Sequence, residues 1–172
     1  MTDAVTTPMG QVVRDAEGAR LEFVRHHAAP VEAVWSALTG SARCARWFGS
    51  WTGDPASGTV LVTMTAEEGA QPEPVAVDAC EPPRRLALTM PSPDGPWRLT
   101  VDLEEGGGRT TLRFAHRLAE PYDVSSIGPG WHFYLDRLGA VVDGAAVPAD
   151  WDAYYPSLSG RYAAAGAARL RG

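Results

Sequence analysis

Apolar and polar residues alternate over several segments of this chain, a period that predicts β-strands. In Arg20–His27, for example, Leu21, Phe23 and Arg25 share one face of a predicted strand. The other segments with this period are Gln11–Arg14, Thr59–Thr65, Val75–Cys80, Arg85–Met90, Trp97–Glu104 and Thr110–Arg117. The last two flank a glycine-rich turn and predict a β-hairpin. Its inward residues would be Trp97, Leu99, Val101, Leu103, Leu112, Phe114 and His116.

Two short helices are predicted between the first strands and the rest of the sheet. Apolar residues three and four apart follow Pro30, a residue that opens helices without loss of a hydrogen bond. They are Val31, Val34, Trp35 and Leu38. A second short helix is predicted over Ser41–Trp47, with Ser41 as its cap.

A long helix is predicted near the end of the chain, over Trp131–Val142. Its apolar residues recur at helical spacing: Trp131, Leu135, Leu138 and Val142. Gly128–Pro129–Gly130 predicts a break before the helix, and Gly144 ends it. This pattern places His132 on the outer side of the helix and Trp131 in its first turn.

The elements together predict an α+β domain, a curved antiparallel sheet of six or seven strands wrapped around the long C-terminal helix. Residues 1–9 are expected to form a flexible N-terminal tail, and residues 10–162 a single domain. Within it, residues 145–162 form an aromatic C-terminal extension that packs on the rest, with Trp151, Tyr154 and Tyr155. Residues 163–172 are expected to fray.

Composition and charge narrow the classes of partner. The 172 residues are 45% hydrophobic and carry a formal net charge of −6, with no lysine. This balance argues against nucleic acid, because a phosphate backbone needs a concentrated positive face. No apolar run predicts a membrane span, and no signal peptide is visible. We therefore expect a cytoplasmic protein whose cysteines, Cys44 and Cys80, are free thiols.

Few residues are placed for catalysis or for a cofactor. No His, Cys, Asp or Glu pair has a recognised metal-ligand spacing, and no G-x-S-x-G motif is present, so we predict no metal and no cofactor. His116 is the histidine expected to face inward. It could act as a general base, orient a ligand carbonyl, or simply bond to a nearby backbone carbonyl.

Seven short motifs resemble those of one family. They are Phe23-Val-Arg25, Ala29-Pro-Val-Glu-Ala-Val-Trp35, Ala37-Leu-Thr39, Arg46-Trp-Phe48, Glu81-Pro-Pro-Arg-Arg-Leu86, the run Thr110-x-Leu-x-x-x-His116, and Gly130-Trp-x-x-x-Leu-x-x-Leu138. Their order and spacing are similar to those of the START-related, birch-pollen-allergen-like (SRPBCC) superfamily. Within it, they resemble the homologues of the activator of heat-shock-protein-90 ATPase. The resemblance implies the helix-grip fold.

The resemblance also implies a cleft between the long helix and the sheet, suited to a small hydrophobic or aromatic molecule. The residues expected to line it are Trp35, Trp47, Phe48, Met64, Phe114, His116, Trp131, Tyr134, Leu135 and Leu138. Trp131 is expected at the open end of the cleft, with Leu135 and Leu138 more enclosed.

Two other functions stay open. One is an aromatase/cyclase-like enzyme acting on a polyketide-like substrate; we assign no catalytic residue, but His116 and Tyr134 would be the candidates. The other is a minimal co-chaperone or interaction protein. The eukaryotic activators carry a separate N-terminal domain that nine residues could not supply, so we expect little stimulation of a heat-shock-protein-90 ATPase. The sequence favours ligand binding without catalysis.

Overall fold

The computed structural model describes residues 5–168. The strands are β1 (Gln11–Asp15), β2 (Gly18–His27), β3 (Gly49–Thr52), β4 (Thr59–Met64), β5 (Glu73–Glu81), β6 (Arg85–Met90), β7 (Trp97–Gly106) and β8 (Arg109–Arg117). The α-helices are α1 (Val31–Thr39), α2 (Ser41–Cys44), α3 (Val124–Asp143) and α4 (Ser159–Ala168). Short 3-10 turns lie at Pro55–Ser57 and Trp151–Ala153. No helix in this range is long and apolar enough to cross a membrane.

The strands form one antiparallel sheet in the order β1-β2-β8-β7-β6-β5-β4-β3. The α+β helix-grip architecture predicted from the sequence is confirmed, with a curved sheet around a long C-terminal helix. The sheet has eight strands, more than the six or seven expected. The additional strand is β3, whose four residues are too few to show a period.

The register of the central strands brings the predicted inward residues together. Phe23 of β2 pairs with Phe114 of β8, which pairs with Val101 of β7. In the next inward row, His116 lies between Leu21 and Leu99. The inward side chains of these strands are buried, except for the partly buried Trp97, so alternation along the strands correctly identified the concave face.

Helix α3 begins seven residues before the predicted start at Trp131, so the predicted break at Gly128–Pro129–Gly130 is wrong. Asp123 caps the helix by accepting a hydrogen bond from the Ser125 N–H at 2.8 Å. Pro129 lies inside the helix and removes one backbone hydrogen bond. Packing of the surrounding segment outweighs that loss, because Gly128, Pro129 and Trp131 are all buried.

The C-terminal extension packs at the β1 side of the domain, where α4 contacts α3 and β1. Tyr162 of α4 is completely buried against Phe23, with ring centroids 6.2 Å apart. Residues 163–168, which we expected to fray, continue this helix. The remainder of the predicted frayed end, residues 169–172, lies outside the described residues.

A buried polar network ties the N-terminal segment to α3 and α4. The Tyr162 hydroxyl accepts from the Gly10 N–H at 3.0 Å and lies 2.8 Å from Nδ1 of His132. Nε2 of His132 lies 2.7 Å from the Thr7 hydroxyl, which donates to Asp136 at 2.8 Å. One assignment of donors satisfies every hydrogen bond in this series: the Tyr162 hydroxyl donates to Nδ1 of His132, and the Nε2–H of His132 donates to the Thr7 hydroxyl. His132 is therefore neutral and internal, and its predicted outer position is wrong.

Asp136 is the charged centre of this network. Its carboxylate lies 3.5 Å from the Arg25 guanidinium and accepts from the Tyr154 hydroxyl at 2.8 Å. Burial lowers the pKa of Arg25, which the opposing attraction of Asp136 raises. Because the partners come from β2, α3 and the C-terminal segment, the ion pair fixes these three elements relative to one another.

Two glycines of α3 allow a matched test of the docking of α4. A methyl group on Gly128 would lie 2.3 Å from Cδ1 of the buried Tyr162 ring, whereas one on Gly130 would meet nothing closer than 4.0 Å. We expect Gly128→Ala to lower the free energy of unfolding by at least about 2 kcal/mol. Gly130→Ala should be neutral or stabilising by about 0.5–1 kcal/mol. Urea denaturation of both variants checks this; equal effects would contradict the packing of Tyr162 on α3.

Three buried histidines predict that stability declines in mild acid. Burial lowers the pKa of His116 to about 4, and it also lowers the pKa values of His27 and His132. Unfolding restores values near 6.5, so between about pH 6.5 and 4 the unfolded chain binds protons that the native chain does not. The free energy of unfolding should therefore fall as the pH falls through this window. Near pH 5, unfolding should be accompanied by the uptake of more than one proton per molecule.

Urea denaturation at pH 7.5, 6.0, 5.0 and 4.5 measures how steeply the free energy of unfolding changes with pH. His116→Gln should reduce the proton uptake on unfolding by about one proton. Stability that is constant from pH 7 to pH 5 would contradict burial of neutral histidines.

Candidate functional site

An apolar cavity of about 130 Å³ lies between the concave face of the sheet and the helices. One wall is formed by β4, β5, β6, β7 and β8, and the opposite wall by α3 and the segment from α1 to β3. No charged side chain of the described residues lines it. The cavity lies on the half of the sheet away from α4, where β6 is only half-buried along its whole length.

The segment from α1 to β3 is held in place through the polar atoms of its aromatic residues. The indole N–H of Trp47 donates to the Ala37 carbonyl at 2.9 Å, and that of Trp51 donates to the Thr39 carbonyl at 2.9 Å. Arg137 of α3 donates to the Trp47 carbonyl at 3.0 Å. These bonds turn the nonpolar surfaces of both indoles toward the cavity.

Gly49 allows β3 to approach β4 closely at the edge of this wall. A Cβ atom at this position would lie 2.5 Å from the Thr63 carbonyl oxygen, a distance that real side chains do not reach. Glycine is therefore required where β3 begins, and the strand can bring Trp51 to the cavity.

A bulge in β5 shapes the sheet wall. The pairing of β5 with β6 shifts between Val77 and Ala79, which places Cys80 opposite Leu86 and on the cavity side. Cys80 is exposed, whereas Cys44 on the helical wall is buried, and both are free. Burial raises the pKa of the Cys44 thiol to about 11, so this side chain stays uncharged at neutral pH.

Trp131 is the aromatic centre of the helical wall. Its indole N–H donates to Nδ1 of His116 at 3.0 Å, and its ring contacts Phe114 at a centroid distance of 4.6 Å and stacks on Phe48 at 6.1 Å. The sequence placed Trp131 at the open end of the cleft. Because α3 starts earlier than expected, Trp131 lies about two turns inside the helix and is only 6% exposed.

Six of the ten residues expected to line the ligand cleft lie on the cavity: Trp47, Phe48, Phe114, Trp131, Leu135 and Leu138. The other four lie outside its lining. His116 is buried behind Trp131, and Tyr134 packs edge-on against Phe48 at 5.2 Å. Trp35 and Met64 are partly buried against the core.

Sequence reasoning missed most of the sheet wall. The residues it did not assign to the site include Leu38, Trp51, Val60, Val62, Val75, Val77, Leu86, Leu88, Leu99 and Val101. Alternation in the predicted strands could have identified most of them, because the lining residues of β4, β6 and β7 lie two apart along each strand. Trp51 gave no such signal, since β3 was not predicted.

The candidate catalytic residues are not arranged for acid–base chemistry. His116 is 3% exposed, and its recorded side-chain partner is an indole rather than a carboxylate. Its low pKa makes it a poor acceptor of protons at neutral pH. Burial raises the pKa of Tyr134 to about 12, and Tyr134 forms no recorded hydrogen bond with His116. Within residues 5–168, no group of three or more His, Cys, Asp or Glu could hold a metal ion.

Comparison with solved structures finds the same fold over nearly the whole chain. The crystal structure of CalU16 from Micromonospora echinospora superposes with a TM-score of 0.73 at 25% identity, covering 94% of this chain and 99% of that one. The solution structure of the BPP1335 protein from Bordetella parapertussis gives 0.70 at 26% identity, covering 96% of each chain. The structure of EF2215 from Enterococcus faecalis superposes with a TM-score of 0.68 at 18% identity, covering 94% of this chain and 90% of that one.

A search among curated proteins finds no match. The family model described as "Activator of Hsp90 ATPase homolog 1-like protein" matches residues 28–143. The matched region runs from the end of β2 to the end of α3 and thus includes both walls of the cavity. The resemblance seen in the sequence motifs is confirmed, and the chain belongs to the family of activator of Hsp90 ATPase homologue 1-like proteins.

Proposed function

We propose that this protein binds a small hydrophobic or aromatic molecule in the cavity beneath α3. The observation that carries the proposal is the cavity itself, an almost wholly nonpolar space in an otherwise well-packed core. Protein interiors normally leave few voids larger than a water molecule. A nonpolar space of this size loses dispersion contacts that a bound apolar molecule would restore.

The size of the cavity limits the enclosed part of the ligand. About 130 Å³ is close to the roughly 150 Å³ of an engineered apolar cavity that stays dry and binds benzene. One six-membered ring therefore fits the enclosed space, and a larger molecule would extend through the mouth. The proposed cytoplasmic location agrees with the two free cysteines.

The other two functions have less support from the described residues. An enzyme would need a reachable base, and His116 is closed off behind Trp131. A protein partner would favour an apolar patch on the outer face of the sheet. Among the residues that the structure describes, the large hydrophobic side chain exposed there is Leu61 alone, because Trp151 and Tyr155 belong to the C-terminal extension.

Neighbouring residues of β4 provide a matched pair of variants for this proposal. Val62 lines the cavity, whereas Leu61 points to the opposite side of the sheet and is 46% exposed. In Val62→Phe the added ring would occupy the space that a ligand needs. We expect this variant to bind toluene at least about tenfold more weakly than the unaltered protein. Titration followed by methyl ¹H–¹³C NMR measures the affinity.

Leu61→Phe places the same ring on the opposite face of the same strand and should change toluene affinity less than twofold. Circular dichroism and thermal unfolding confirm that both variants are folded. Equal affinities for Val62→Phe and the unaltered protein would refute binding in this cavity, as would the absence of saturable binding by the unaltered protein.

A further inference from the structure

The polar side-chain atoms around the cavity have their partners within the protein. Each tryptophan on the lining uses its single N–H: Trp47 on the Ala37 carbonyl, Trp51 on the Thr39 carbonyl and Trp131 on His116. An indole has no acceptor and no second donor. All three therefore present only ring carbon to a ligand.

The other side-chain heteroatoms of the lining are few. The Thr39 hydroxyl donates to the Trp35 carbonyl at 2.8 Å. The buried Cys44, the exposed Cys80 and Met90 contribute only sulfur, which forms weak hydrogen bonds. Buried side-chain atoms without a hydrogen-bond partner do occur among residues 5–168, on Arg25, His27 and Ser159, but none of these residues lines the cavity. The side chains that line the cavity therefore present almost no polar surface to a ligand.

The cavity has a closed end and an open end. At the closed end, Leu112 and Leu138 are completely buried between β8 and α3. Toward β5 and β6, Val77, Leu86 and Leu88 are only half-buried, and the exposed Cys80 lies beside them. Water can reach a ligand atom at this second end but not at the first.

We infer that the ligand is a compact, uncharged ring molecule that carries a hydrogen-bonding group at one end at most. This inference rests on the proposed binding function. The bare end of the ring enters first and packs against Leu112 and Leu138. A hydroxyl or carbonyl group lies at the mouth and keeps its water. A molecule with polar groups at both ends must bury one of them without a partner, so it is rejected.

Three para-substituted benzenes of nearly equal size test the inference: p-xylene, p-cresol and hydroquinone, which carry no, one and two hydroxyls. Replacing a methyl by a hydroxyl weakens transfer from water to an apolar phase by a similar factor each time. In this cavity the two replacements should cost different amounts of affinity, because the first hydroxyl stays at the mouth and the second is buried. We expect a loss of less than about fivefold from p-xylene to p-cresol, and more than about tenfold from p-cresol to hydroquinone.

NMR titration of methyl resonances gives the three dissociation constants, with hydroquinone kept under argon. The inference would be overturned if the loss of affinity from p-cresol to hydroquinone were no larger than that from p-xylene to p-cresol. The proposed binding function would then remain intact. Hydroquinone binding more tightly than p-cresol would also overturn the inference. Failure of p-xylene itself to bind would refute the proposed function, and the inference with it.

A variant with a new polar group inside the cavity provides the complementary test. Val101→Thr keeps the β-branched shape of the side chain and places a hydroxyl on the inward face of β7. In this variant the affinities for p-cresol and hydroquinone should differ by less than about fivefold, because the buried hydroxyl of hydroquinone gains a hydrogen-bond partner. An unchanged gap in a folded variant would count against burial of the ring end at this wall. The comparison of steps in the unaltered protein stands whether or not this variant folds.

Discussion

The hydrogen bond between Trp131 and His116 is the interaction on which the nonpolar character of the cavity depends. An indole N–H and an imidazole nitrogen are both costly to bury without partners. At 3.0 Å they satisfy each other, so α3 can place a tryptophan against the sheet without leaving a polar atom at the cavity. Burial keeps the histidine neutral, and its unprotonated Nδ1 accepts this bond. His116, one of the two catalytic candidates from the sequence, thus serves to keep the site apolar.

Coverage of the sheet explains where the cavity lies. Helix α3 crosses the central strands, and α4 seals the β1–β2 side through Tyr162 and the network around Asp136. The α1–β3 segment faces the other half of the sheet but does not fill it, which leaves β5 and β6 half-buried. The protein therefore has a polar, tightly connected flank and an apolar, incompletely packed flank on either side of one helix.

The sequence predicted the fold class and the inward residues of the central strands, because these depend on a local period. Six aromatic or aliphatic residues of the cavity followed from the resemblance to the family. The sequence did not predict features set by tertiary contacts. Gly128 and Pro129 indicate a break in isolation, yet Tyr162 packs where a side chain at position 128 would stand. His132 lies on the polar side of the helical pattern but is buried by residues from both ends of the described chain. The cavity lies toward β4–β6 because the helices leave these strands uncovered. Coverage by helices is a tertiary property that a local sequence period does not indicate.

The position of a bound ring is the most direct measure of the central claim, that an apolar ring occupies the space between α3 and the sheet. Intermolecular NOEs between toluene and the methyl groups of selectively labelled protein would locate it. The account predicts NOEs to Leu138 of α3 and Val101 of β7, which line the cavity from opposite walls. Saturable binding with NOEs only to Leu61 on the outer face, and none to Leu138, would contradict it.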